Sequence, residues 1–118
     1  EPAGNSGGVE WLIDATGCDT ARLADRAALE ALFADLVEQM QLNPAAPAAW
    51  HQFPGPGGIT GLSLLAESHL ACHTFPENGS LCLNVFCCKE RKEPVWRQLL
   101  RTHVRADRVK VTRVRRSY

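Results

Sequence analysis

The sequence predicts an α+β fold, a two-layer sandwich in which an antiparallel sheet carries helices packed on one face. Its 118 residues suit one domain, which we expect to span residues 1–118 with a flexible start at residues 1–8. Apolar residues make up 45% and charged residues 22%, which is ordinary globular usage. Short apolar or alternating runs, typical of strands, flank two segments with helical periodicity.

The first half of the chain predicts a strand, a helix and a second strand. Residues 9–15 form one short, mostly apolar run, and residues 49–53 form another. Between them we expect a helix that begins near Asp19 or Thr20 and ends before Asn43. Its buried face is indicated by apolar residues at steps of three and four: Leu29, Leu32, Phe33, Leu36, Val37 and Met40.

The second half predicts three strands and a helix. Residues 59–67 and 81–88 have the composition of buried strands, joined by a tight segment. Pro94 suits the first turn of a helix. After that helix, Val109 and Val111 alternate with polar residues, which indicates a strand with one face in water.

Alternation along the strand that ends at Cys88 predicts which of its residues are buried. Cys87 belongs to the more apolar set, which we expect to meet the helices, so Cys87 is a core residue and Cys88 lies on the opposite face. The apolar set is Leu81, Leu83, Val85 and Cys87, and the opposite set is Cys82, Asn84, Phe86 and Cys88.

The charges are unevenly distributed along a chain whose formal net charge is zero. Residues 1–88 carry 2 basic and 10 acidic side chains, and residues 89–118 carry 11 basic and 3 acidic ones. A nucleic-acid surface is one interpretation of the basic third. Trp96 and Tyr118 are its only aromatic residues, so we favour pairing with the acidic remainder and expect no nucleic-acid partner.

The cysteines and the hydropathy indicate the compartment. Five cysteines, an odd number with one adjacent pair, do not form a disulfide framework and favour a reducing cytoplasm. A zinc site from His69, Cys72, His73 and the later cysteines would need a matching ligand pair, which the spacing lacks, so we expect no metal. No apolar run approaches the roughly 18 residues of a membrane span, so no membrane partner is expected.

The stretch from Gly58 to Cys88 carries the specific motifs. They are Glu67-Ser68-His69, His73-Thr74-Phe75-Pro76-Glu77 and Val85-Phe86-Cys87-Cys88. These motifs and their spacing strongly resemble the small, prokaryotic-type S-adenosylmethionine decarboxylases, which are self-processing pyruvoyl enzymes. The resemblance extends over residues 8–115.

The resemblance implies that the chain cleaves itself between Glu67 and Ser68. Ser68 then becomes a covalent pyruvoyl group, and His73 is the implied processing base. Thr60 stands where the family usually has an assisting serine. The chemistry is reasonable because a hydroxyl nucleophile needs a base and a polarised carbonyl.

The pyruvoyl group implied by the resemblance is itself the cofactor. It would form a Schiff base with the substrate amine and accept electrons as CO₂ leaves, so neither PLP nor a metal is expected. The α-carbon must then be reprotonated, and a thiol is a suitable acid. The resemblance assigns that role to Cys88.

The resemblance also implies a substrate pocket. It makes Phe53 and Phe75 a pair that stacks a purine, and it places Glu77 on the ribose hydroxyls. Phe75 replaces the usual tryptophan and Asn84 replaces an aspartate, and both departures bear on substrate recognition. The expected substrate is S-adenosylmethionine, in polyamine biosynthesis, with L-ornithine or L-arginine as the alternative.

Two further expectations concern partners. The family forms dimers, and a sheet with one face free of helices needs cover, so we expect a homodimer or a dimer of dimers. A catalytically silent subunit that activates a partner is a further alternative, which the intact set of Ser68, His73 and Cys88 argues against.

Overall fold

The computed structural model describes residues 7–118 and confirms the α+β sandwich. Within these residues one sheet has six strands in the order β2-β3-β4-β5-β1-β6, and every neighbouring pair is antiparallel. The strands are β1 (Gly7–Thr16), β2 (Ala49–Gln52), β3 (Ile59–Leu64), β4 (Ser68–Phe75), β5 (Ser80–Cys87) and β6 (Arg108–Ser117).

Three helices accompany the sheet: α1 (Thr20–Leu23), α2 (Arg26–Met40) and α3 (Trp96–Val104). They cover one face, where alternate strand residues such as Trp11 and Leu83 are buried with them in one core. Trp50 on β2 contacts Phe33 on α2, with ring centroids 4.8 Å apart. Gly61 on the neighbouring strand leaves room for that indole, because a Cβ there would lie 2.3 Å from the Trp50 ring.

The structure corrects three predicted boundaries. The single helix predicted from Asp19 or Thr20 is divided in two, because the Asp25 side chain accepts a hydrogen bond from Ala27 N and starts α2. Pro94 precedes α3, whose N-cap is Val95. Of the flexible start predicted at residues 1–8, residues 1–6 lie outside the described residues, and the remaining two belong to β1.

A further correction concerns the region of the motifs. The strand predicted over residues 59–67 ends at Leu64, and the predicted tight segment is the eight-residue strand β4. A hairpin therefore joins β3 to β4, and a 3₁₀ turn at Pro76–Asn78 joins β4 to β5. In β5 the predicted facing is confirmed, since Leu81, Leu83, Val85 and Cys87 are buried while Cys82 is exposed.

The face of the sheet opposite the helices is called the open face here. It carries outward residues of the central strands: Glu10, Leu12, Leu62, Leu64, His69, His73, Phe75, Asn84 and Phe86. Leu62 and Leu64 are 50% and 60% exposed, although such side chains favour burial. The fold thus leaves a partly apolar sheet surface without a second layer.

Part of the basic third does pair with the acidic remainder. Arg116 on β6 lies 2.6 Å from Glu10 on β1, and Arg91 lies 3.2 Å from Glu67. His103 on α3 lies 2.8 Å from Asp35 on α2. These contacts join the two oppositely charged regions within one chain.

Candidate active site

The implied cleavage point lies at the tip of the hairpin between β3 and β4, which we call the cleavage turn (residues 65–68). Leu65 and Ser68 exchange backbone hydrogen bonds of 3.0 and 3.4 Å, so Ala66 and Glu67 form a two-residue loop. Ala66 N also donates to the Asn43 carbonyl at 2.8 Å. The bond between Glu67 and Ser68 therefore lies in a tight turn whose backbone is fixed on both sides.

Ser68 begins β4 on the side that faces the helices. Its Cα partner in β5 is Cys87, and the two side chains lie next to each other under the helix layer. Ser68 Oγ is buried and has no hydrogen-bond partner of suitable geometry. A buried hydroxyl beside a thiol, which is only a weak hydrogen-bond partner, is free to act as a nucleophile on the adjacent Glu67 carbonyl.

Electrostatics near this hydroxyl involve Cys87, which the sequence placed in the core, and Arg91, which sequence reasoning did not single out. Burial raises the pKa of the Cys87 thiol, while the Ser68 hydroxyl and the Arg91 guanidinium oppose that rise. Arg91 Nη2 forms the ion pair with Glu67 Oε2, and both side chains are largely buried. Arg91 lies 24 positions after Glu67 in the chain. It belongs to a loop that contains none of the motifs, so the sequence did not indicate this contact.

Cys88 directly follows β5, one position beyond the residue that pairs with Ser68. Its side chain is partly exposed, and its carbonyl accepts a hydrogen bond from the Tyr118 hydroxyl. Ser68, Cys87 and Cys88 thus lie at the same end of the sheet. We call this group, together with Glu67 and Arg91, the cleavage cluster.

A second group of candidate residues lines a cavity of about 560 Å³, called the aromatic pocket here. Thr60 Oγ1 and His73 Nδ1 share a hydrogen bond of 3.2 Å across β3 and β4. Phe53 is 55% exposed and Phe75 is 38% exposed, so both rings are available to a ligand. Nine residues line the pocket, and those with the larger side chains include Phe53, Ile59, Thr60, His73, Phe75 and Glu77.

The two groups do not meet within one chain. Ser68 and His73 are five positions apart on β4, so their side chains project from opposite faces of the sheet. At about 3.3 Å per residue, their Cα atoms are separated by about 16 Å along the strand. The His73 imidazole therefore cannot reach the hydroxyl of Ser68 in its own chain.

Asn84 belongs to neither group. It lies in the middle of the open face, where its amide donates to Glu10 Oε2 at 2.6 Å and its Oδ1 accepts from His69 Nε2 at 2.7 Å. The hydrogen bond from Asn84 and the nearby Arg116 lower the pKa of the Glu10 carboxyl, against the effect of its burial. Glu10 and His69 complete a polar network that the motifs alone did not predict.

Among residues 7–118, no three histidine, cysteine, aspartate or glutamate side chains are grouped as metal ligands would be. His69 and His73 lie on the open face, whereas Cys72 points into the core. In the same part of the chain, no helix combines the length and apolar character that crossing a membrane requires.

Comparisons with known proteins agree with the motifs. The family model described as S-adenosylmethionine decarboxylase matches residues 9–117. An S-adenosylmethionine decarboxylase proenzyme of Prochlorococcus marinus (strain MIT 9313) is 37% identical over 87 residues, which are 74% of this chain and 68% of that protein. The proenzyme 2 of Halalkalibacterium halodurans is 36% identical, covering 74% of this chain and 67% of that protein. The proenzyme of Parasynechococcus marenigrum is 35% identical over 102 residues, which are 86% of this chain and 78% of that protein.

Proposed function

Because the chain belongs to the S-adenosylmethionine decarboxylase family, we propose that it is a self-processing, pyruvoyl-dependent decarboxylase acting on S-adenosylmethionine in polyamine biosynthesis. The observation that carries the proposal is the buried Ser68 hydroxyl, which has no strong hydrogen bond and directly follows Glu67 in a tight turn. Relatives named as proenzymes support a precursor that must mature.

Self-cleavage would begin with attack of Ser68 Oγ on the carbonyl carbon of Glu67. The C–N bond between the two residues breaks as its nitrogen takes up the hydroxyl proton, which leaves an ester and a free amino group. A base then removes the proton on the Ser68 Cα, the bond between Cβ and Oγ breaks, and Glu67 leaves as a new carboxyl terminus. The enamine that remains takes up a proton on its methylene carbon and becomes an imine. Water hydrolyses the imine, ammonia leaves, and residues 68–118 begin with a pyruvoyl group.

The residues around Ser68 fit such a group. The site is buried on the helix side, is bordered by Cys87, and has Cys88 one position further along. When formed, the pyruvoyl group supplies an electron-poor ketone that takes up the substrate amine and the electrons left behind by CO₂. The role proposed for Cys88 is to hold the proton that is delivered to the substrate α-carbon.

The aromatic pocket supplies the recognition of the substrate. Phe53 and Phe75 can stack on the flat purine of S-adenosylmethionine, and the Glu77 carboxylate can accept hydrogen bonds from the ribose hydroxyls. Asn84 lies outside this pocket, in the Glu10 and His69 network. A direct role for Asn84 in binding the substrate therefore requires a second chain over the open face.

The separation of the two groups supports a homodimer with composite sites. The open face exposes apolar side chains that a second copy would cover. In such a dimer, His73 of the partner subunit would reach Ser68 around the end of the sheet, because Ser68 is the first residue of β4 and follows the cleavage turn. The partner's aromatic pocket would adjoin the cleavage cluster at that end. The test of assembly is the mass in solution by light scattering, where a monomer at micromolar concentration would overturn the dimer.

The test of self-processing is the Ser68→Ala variant on a denaturing gel. The wild-type chain should yield two fragments, residues 1–67 and 68–118, whereas Ser68→Ala should remain one chain of 13.0 kDa. Ser80→Ala, at the start of β5, is the matched control and should process normally. Cleavage of Ser68→Ala between residues 67 and 68 would refute the proposed mechanism.

The test of the substrate is CO₂ release by the matured protein. S-adenosylmethionine, L-ornithine and L-arginine are supplied in parallel, and S-adenosylmethionine should be the one that is consumed. Release from ornithine or arginine alone would reassign the substrate and leave the chemistry in place. A wild-type chain that stays in a single band on the denaturing gel would support the silent activator instead.

A further inference from the structure

Arg91 lies in the loop between β5 and α3 and points into the protein beneath the cleavage turn. Its side chain is 17% exposed, and that of Glu67, its ion-pair partner, is 19% exposed. An ion pair this far removed from water interacts more strongly than a pair on the surface, where solvent screens the charges. Elsewhere in residues 7–118, the Arg–Glu pairs involve at least one far more exposed side chain.

The arginine links three segments that are distant in the sequence. While Nη2 contacts the Glu67 carboxylate, Nη1 donates to the Gln41 carbonyl at the end of α2, at 3.3 Å. Asn43 Nδ2 also donates to Glu67 Oε2, at 3.4 Å. The loop after β5 and the end of α2 therefore both hold the side chain that directly precedes the scissile bond.

Three buried polar atoms in this cluster lack a hydrogen-bond partner: Glu67 Oε1, Ser68 Oγ and Arg91 Nε. Buried polar atoms normally find partners, and leaving them unpaired destabilises the fold. In residues 7–118, one further buried side-chain atom, Trp11 Nε1, shares this property. The unpaired atoms are thus concentrated at the point where the chain is proposed to cleave.

We propose that Arg91 is a positioning residue for self-cleavage, which holds the Glu67 side chain so that the Glu67 carbonyl is presented to the Ser68 hydroxyl. The inference rests on the proposed function and adds to it a residue outside the family motifs. The backbone hydrogen bonds between Leu65 and Ser68 fix both ends of the two-residue loop. The carbonyl of Glu67, the second loop residue, can still rotate away from the Ser68 hydroxyl. Fixing the Glu67 side chain restricts that rotation and favours the geometry of attack.

The test measures the rate at which residues 1–67 are released from freshly refolded precursor, followed by mass spectrometry. Arg91→Gln should slow release at least tenfold. Arg91→Lys should retain part of the rate, because lysine keeps the positive charge but lacks the planar guanidinium group that can donate two hydrogen bonds at once. Arg113→Gln is the matched control, because Arg113 pairs with the exposed Glu90. It should process at the wild-type rate.

A second set of measurements separates positioning from folding. Glu67→Gln should slow release like Arg91→Gln, and the double variant should be no slower than either single one, as for residues that act through one contact. Added guanidinium at low millimolar concentration should restore part of the rate to Arg91→Gln and none to Glu67→Gln. The midpoint of urea unfolding is recorded for every variant, on a Ser68→Ala background that cannot cleave.

The outcomes distinguish this inference from the proposed function. If the wild-type chain does not cleave, both are overturned. If the wild-type chain cleaves and folded Arg91→Gln cleaves equally fast, the role of Arg91 alone is overturned. Additive slowing in the double variant, or no response to guanidinium, would likewise contradict it. If Arg91→Gln fails to fold, the rate of fragment release in Glu67→Gln tests the inference instead. A wild-type rate in that variant would exclude positioning through the ion pair.

Discussion

Ser68 and His73 lie on the same strand, yet the sheet separates their side chains. The Ser68 hydroxyl is buried beside Cys87 under the helices, whereas the His73 ring shares a hydrogen bond with Thr60 on the open face. A proton cannot pass directly between groups held about 16 Å apart on opposite faces. If His73 is the processing base, it must serve a serine that belongs to another chain.

This relationship predicts complementation between two inactive variants. Ser68→Ala and His73→Ala should each remain uncut when expressed alone. When the two are co-expressed with different tags, the His73→Ala chain should be cut, because its serine meets His73 of the partner subunit. The Ser68→Ala chain should stay intact, and a tag-specific blot measures both.

The control for complementation is a mixture of two His73→Ala chains with different tags, which should stay uncut. Cleavage of His73→Ala on its own at the wild-type rate would show that another group is the base. Absence of cleavage in a purified mixed dimer would contradict the composite site.

A second prediction concerns the hydrogen bond between Thr60 and His73. Thr60→Val removes the hydroxyl that orients the imidazole, so processing should slow several-fold while the free energy of unfolding changes by less than about 0.5 kcal/mol. Rates of fragment release and urea unfolding curves are measured on the same preparations. A normal rate of release in Thr60→Val would show that His73 is oriented without it.

Thr74→Val is the matched control for this comparison. The Thr74 hydroxyl accepts from Ile59 N at 2.9 Å and donates to the Leu23 carbonyl at 2.7 Å, and both bonds are buried. Its loss leaves two buried backbone groups without a partner and should cost about 1–3 kcal/mol of stability. The folded fraction should still process normally.

The sequence predicted which residues of β5 are buried better than it predicted the geometry of the active site. The facing of β5 followed from its apolar alternation, in which Leu83 and Cys87 are buried. β4 was missed because its buried positions include Cys72 and Thr74, whose side chains carry a weak hydrophobic signal. The Asp25 cap that divides the helix is a local signal that was available but not used.

Other parts of the candidate site could not be predicted from local patterns. The contact between Arg91 and Glu67 depends on where a loop without regular structure comes to lie. The motifs place Ser68 and His73 close together in the chain, and only the position of β4 in the sheet shows that they face apart. The first feature arises from tertiary packing. The second follows from alternation along β4, where the sequence predicted a tight segment and not a strand.

A third prediction concerns the hydrogen bond between Asp35 and His103, which joins α2 to α3. The hydrogen bond from His103, and then that from Gln39, lower the pKa of the Asp35 carboxyl. A carboxyl whose pKa is lower in the folded state stabilises the fold above its unfolded value of 3.8, and that contribution is lost as the pH falls through the folded value. Asp35→Asn should therefore destabilise the protein by about 0.5 kcal/mol at pH 6, and by less at pH 3.

Urea unfolding at the two pH values checks this third prediction. Glu38→Gln is the control, because Glu38 lies exposed on the same helix and has no ion pair among the described residues. It should change stability little at either pH. An equal loss for Asp35→Asn at pH 3 and pH 6 would show that the contact acts through packing and not through charge.

The last prediction separates the two adjacent cysteines. Cys88→Ser should process but lose about 10²-fold in turnover, because a serine hydroxyl is a much weaker acid than a thiol near neutral pH. Cys87→Ser places a hydroxyl in the core and should act mainly on stability, at a cost of about 1–3 kcal/mol. Turnover is measured on matured protein and normalised to its pyruvoyl content.

The structure makes this comparison sharper than the motif alone, because Ser68 pairs directly with Cys87 and not with Cys88. Burial also raises the pKa of the Cys87 thiol, which keeps it protonated at neutral pH, as a proton donor must be. If Cys87→Ser were folded and inactive while Cys88→Ser turned over normally, Cys87 would be the proton donor. The proton would then come from the residue that pairs with Ser68 under the helices, within one chain, and not from the partly exposed Cys88.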